Sequence, residues 1–90
     1  MNANQIEQLR QSIIVLLYNW PLLTAGNLRN QIEATRGISV DLKTLELELK
    51  TLSARGSVIS TTATLSLEKQ YWQLTSDGEC LAEKEGLTEL

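Results

Sequence analysis

The sequence predicts a mostly helical α+β domain of three helices, a two-stranded β-hairpin and a C-terminal helix. Three observations lead there. Apolar residues recur at helical spacing up to Gly56, β-branched and aromatic residues take over after it, and the glycines and single proline fall where elements should end. Ninety residues with 42% hydrophobic content suffice for one compact core, so residues 1–90 read as a single domain.

The first helix is predicted from about Gln5 to Trp20. Ile6, Leu9, Ile13, Leu16, Leu17 and Trp20 form its stripe, and Pro21 stops it because the residue before proline is pushed out of the α region. Thr24 is the expected N-cap of a shorter second helix, with Leu28 and Ile32 on its buried side and Gly37 beyond its end. Ser39 is the expected cap of a third helix, with Asp41 in its first turn, Leu42, Leu45, Leu49 and Leu52 along one side and Gly56 at its close. The segments 57–64 and 70–74 read as hairpin strands with a tip within residues 62–69. Thr75 or Ser76 caps the last helix, Ser76 and Glu79 being spaced as a capping box.

Composition removes several chemistries. There is no histidine and one cysteine, which excludes an internal disulfide, a Cys/His zinc site and a histidine-based triad or general base. No spaced Asp/Asn/Gly loop of the calcium-binding kind is present. The expectation is a non-enzymatic protein without metal or cofactor. The longest apolar run, Ile13–Tyr18, is far short of the roughly 20 residues of a membrane span, and the polar start lacks a signal-peptide pattern, so a cytoplasmic location is expected.

The formal net charge is −3, but it is unevenly placed. Residues 77–90 hold five acids against Lys84, a net −4, while residues 1–76 hold seven bases and six acids, a net +1. Charge alone therefore selects no partner.

Two segments carry a resemblance. LELELKTLSARGSVI is similar to the end of a recognition helix running into a first wing strand, and YWQLTSDGECLAE is similar to the exit from a wing into the last helix. With the order of elements, they make the chain resemble winged helix-turn-helix domains from about Gln5 to Gly86, most like small bacterial or phage regulators of the MarR, ArsR and PadR type. No motif selects among those families. The resemblance implies binding to double-stranded DNA in transcriptional control, with the third helix in the major groove and the hairpin tip against the backbone or minor groove.

At about 100° per residue, Lys43, Thr44, Leu47, Lys50 and Thr51 face away from the leucine stripe, with Glu46 and Glu48 on the flanks. These five, supported by Thr62, Thr64 and Lys69 of the wing, are the expected DNA contacts. The helix lacks Arg, Asn and Gln, Leu47 stands where a polar reader is commoner, and Lys69 is the wing's one cation, beside Glu68. The alternative is a winged-helix protein-interaction module without DNA binding, which Leu47, Leu65 and Leu67 would suit, and a solvated face with no partner is a third reading.

Ile14, Val15 and Tyr18 form a second apolar side of the first helix. Either a homodimer uses it, as the resemblance implies, or the last helix folds over it within one chain. Cys80 is expected as a small core residue, and Trp20 and Trp72 as core anchors.

Overall fold

The computed structural model describes residues 2–20, 22–63 and 66–89, and the side chains of all of these except 62–63 and 66–69. The chain runs α1 (Ala3–Asn19), β1 (Leu23–Thr24), α2 (Ala25–Arg36), α3 (Leu42–Ala54), β2 (Val58–Ala63), β3 (Ser66–Leu74) and α4 (Ser76–Glu85). The hairpin is joined by a short third strand, giving an antiparallel sheet of order β1-β3-β2, in which Leu23 and Ser60 both lie opposite Trp72.

α1 begins two residues earlier than its apolar stripe indicates, because Asn2 and Gln5 form a capping box. The Gln5 N–H donates to Asn2 Oδ1 at 2.8 Å and the Asn2 N–H to Gln5 Oε1 at 3.0 Å. Through Ser12–Leu17 every residue is buried, which makes α1 the central helix and not a surface one. Its neighbours are α2, α3, α4 and β3. Near its C-terminus the Asn19 amide donates to the carbonyl oxygens of Val15 at 2.8 Å and Thr88 at 3.0 Å, stitching the first helix to the chain beyond the last one.

This arrangement bears on two of the three residues expected at a homodimer contact. Ile14 and Val15 are 2% and 1% exposed within the single chain, Ile14 facing Leu52, Leu81 and Leu87. The second apolar side is covered from within, and of the three proposed interface residues only Tyr18, 36% exposed, is open to a partner. Trp20 also departs from expectation, at 41% exposed. It is the C-cap of α1 with extended backbone (φ −121°, ψ 103°), so the helical period no longer aims it at the core. Pro21 lies outside the described residues. Trp72 is buried, as expected.

α2 starts at the expected cap, Thr24 Oγ1 accepting from the Asn27 N–H at 3.1 Å. α3 is capped by Asp41 and not by Ser39, so the link from α2 is longer than the sequence suggested. The α3 stripe is buried at Leu45, Leu49 and Leu52, whereas Leu42, in the first turn, is exposed. Gly56, at φ 80°, makes the left-handed turn that ends α3, with the Ser57 N–H donating to the Leu52 carbonyl at 3.0 Å.

α4 is capped by Thr75, whose hydroxyl accepts from the Gly78 N–H at 3.0 Å and donates to the Gly56 carbonyl at 2.6 Å. One side chain thus ties the start of α4 to the α3–β2 corner. Gly78 sits so tightly on that corner that a Cβ there would lie 2.0 Å from the Ser57 carbonyl oxygen. The buried stripe of α4 is consequently Gly78 and Ala82, and Cys80, on the other side of the helix, is exposed instead of packed in the core.

Candidate nucleic-acid interface

α3 is a one-sided helix. With Leu45, Leu49 and Leu52 inward, the outer side is a continuous ridge of Lys43, Leu47 and Lys50, each one helical turn from the next and all exposed. Leu47 is 56% exposed, the most open of the large apolar residues among those described. Thr44 and Thr51 are half-buried at the edge of the ridge. The Thr51 hydroxyl donates to the Leu47 carbonyl at 3.0 Å, so it meets a ligand as an acceptor. The two lysines are therefore the charge that the five expected α3 contacts present outward.

One acid of α3 is set aside from that ridge. Glu48 is held by Arg10 of α1, Nε to Oε2 at 2.6 Å, in a part-buried ion pair that removes its charge from the outer side and fixes α3 against α1. Asp41 closes no capping hydrogen bond of ordinary geometry. The nearby Thr44 hydroxyl nevertheless, followed by backbone N–H groups and the Lys43 charge, holds its carboxyl below the usual carboxylate range. Glu46 stays exposed, one turn from both Lys43 and Lys50, and borders an open cleft of about 530 Å³ lined also by Thr24, Asn27, Gln70, Tyr71 and Trp72.

That cleft, between the first turn of α2, α3 and the root of the hairpin, brings in polar groups the sequence alone did not single out. Asn27 had one available signal, its place three residues after the Thr24 cap, which puts it in the first turn of α2. Gln70 joins it only through the fold. Of the expected wing contacts, Thr64 lies outside the described residues, as do the side chains of Thr62 and Lys69; Leu65 and the Leu67 side chain lie there too. Among the described residues no group of three or more His, Cys, Asp and Glu is placed to hold a metal ion, and no helix is long and apolar enough to cross a membrane.

Helix pair α2–α3, the β2–β3 wing, the short β1 strand and the flanking α1 and α4 together define a winged helix-turn-helix domain. Solved structures share it. A mutant of Lactococcus lactis ZitR in apo form superposes with a TM-score of 0.75 at 18% identity, over 93% of this chain and 58% of that one. The adhesin competence repressor AdcR of Streptococcus pyogenes gives 0.73 at 18% identity, over 87% of this chain and 53% of that one. A mutant of MarR from E. coli, complexed with operator DNA, gives 0.70 at 19% identity, over 93% and 52%. The chain thus spans about half the length of the structures it matches. No family model and no curated protein matches the sequence.

Proposed function

We propose that this chain is a DNA-binding winged-helix module acting in transcriptional control in a bacterium or phage, with α3 as the helix that enters the major groove. The observation that carries the reading is the outward Lys43–Leu47–Lys50 ridge, cleared of the Glu48 charge by Arg10. Lys43 and Lys50 contact phosphate or guanine, Thr44 and Thr51 flank them, and Thr62, Thr64 and Lys69 support from the wing. The similar fold of a MarR structure complexed with operator DNA supports the DNA-binding reading. So few cations give weak non-specific binding, roughly 10⁻⁴–10⁻⁶ M or poorer at physiological salt. Useful affinity then requires a specific site and pairing of two chains. In that homodimer Tyr18, the exposed member of the original trio, lies at the contact.

The deciding experiment is retention on duplex DNA of the double variant Lys43→Glu, Lys50→Glu. Binding is lost while circular dichroism is unchanged, since both side chains point away from the core. Binding that survives both changes, or none by the unmodified protein at low salt, defeats the reading. Exposed Leu47 favours one second reading, a protein-interaction module, whose affinity would be insensitive to salt.

A further inference from the structure

We infer that Leu47 recognises the 5-methyl group of thymine and so sets part of the sequence preference of α3. This rests on the DNA-binding reading above. The core has no use for this leucine, because Leu45, Leu49 and Leu52 already fill the inner side of α3 and Leu47 stands 56% exposed on the outer one. Helix propensity gives no reason for it either, since glutamine, lysine or glutamate would serve an exposed helical position about as well.

Its neighbours identify the occupant. Lys43 precedes it by four residues and Lys50 follows it by three, so the apolar side chain stands between two cations on one ridge. A protein partner matched to that ridge would have to supply an apolar pocket between two acidic groups. Duplex DNA supplies the equivalent with its regular parts, anionic phosphates bordering a groove whose floor carries apolar methyl groups. On the major-groove edge of the bases, the thymine 5-methyl is the apolar feature; adenine, guanine and cytosine offer hydrogen-bonding groups there. A leucine set against the cytosine or adenine amino group would displace water from a donor and return no hydrogen bond. The ridge therefore favours a thymine at the position reached by Leu47 and penalises the alternatives, while the lysines hold α3 in register on the flanking phosphates.

The test uses the full chain in two stages. Duplexes retained from a random-sequence pool at low salt are sequenced, and the enriched duplex is remade with uracil replacing thymine one position at a time, which removes the methyl group alone. We expect one position per bound α3 at which uracil weakens binding about four-fold, the worth of one buried methyl. The variant Leu47→Ala, with circular dichroism matching the parent, should bind the thymine and uracil duplexes equally. An enriched sequence with no uracil-sensitive position, or a sensitivity that survives Leu47→Ala, overturns the inference and leaves DNA binding standing. A pool from which nothing is retained at low salt overturns both.

Discussion

Gly78 has no side chain because Ser57 leaves no room for one. A Cβ 2.0 Å from a backbone carbonyl oxygen cannot be relieved by a rotamer change, so α4 itself must move. Gly78→Ala should cost about 1–3 kcal/mol as overpacking, read from the denaturation midpoint. The gain that alanine normally brings to a helix interior, up to about 1 kcal/mol, should not appear. At the centre of the core, Leu49 is fully buried, and Leu49→Ala should cost about 2–5 kcal/mol; a loss under about 0.5 kcal/mol would mean that α3 does not present this side inward. Asp41 gives a pH signature. Its carboxyl is held low in the folded chain, chiefly by Thr44, so its contribution to stability is present above the unfolded-state value, about pH 4, and fades as pH falls through the lower folded one. Asp41→Asn should therefore flatten the acid limb of the stability curve below about pH 4 and leave its shape near neutrality unchanged.

Among the elements, α3 was the most legible in the sequence, because a helix with one wet side displays its period without ambiguity. Lys43, Leu47 and Lys50 are found outward for the same reason that Leu45 and Leu49 are found inward. α1 shows where that reasoning stops. A helix buried all round over Ser12–Leu17 has a second apolar side, and its pattern is the same whether α4 or another molecule covers it. β1 is two residues long, too short for alternation to register, and it exists because β3 offers Trp72 and Tyr71 as partners. In α4 the apolar pattern pointed to Cys80, but the buried stripe follows Gly78, whose close approach to Ser57 is a tertiary fact. The Arg10–Glu48 pair was equally hidden, its partners lying 38 residues apart. A double-mutant cycle with Arg10→Ala and Glu48→Ala should give a coupling of about 1 kcal/mol, a charged hydrogen bond lessened by partial exposure. Arg10→Ala alone should also weaken DNA binding, since it frees a carboxylate beside the lysine ridge.

On the scale of the whole molecule, the acidic surplus belongs to α4 and the residues after it, while the lysine ridge belongs to α3, so a net charge of −3 does not bar a polyanion. Each phosphate contact should add about −0.9 to the slope of log affinity against log salt, so Lys43→Ala and Lys50→Ala should each flatten it by about that amount where they meet phosphate. Tyr18→Asp tests pairing. Sedimentation should show the parent shifting to a dimer at high micromolar concentration and the variant staying monomeric, and a parent already monomeric there would exclude the homodimer. The placement of α1 also bears on how the chain is made. α1 is made before α2, α3, β3 and α4, the elements that close over it, and its tether from Asn19 to Thr88 spans 69 residues. At roughly 5–20 residues per second, about 3–14 s separate the two ends of that tether, and until the later end is made Ile14 lacks its Leu81 and Leu87 cover, a greasy stripe that chaperones and neighbouring chains can reach.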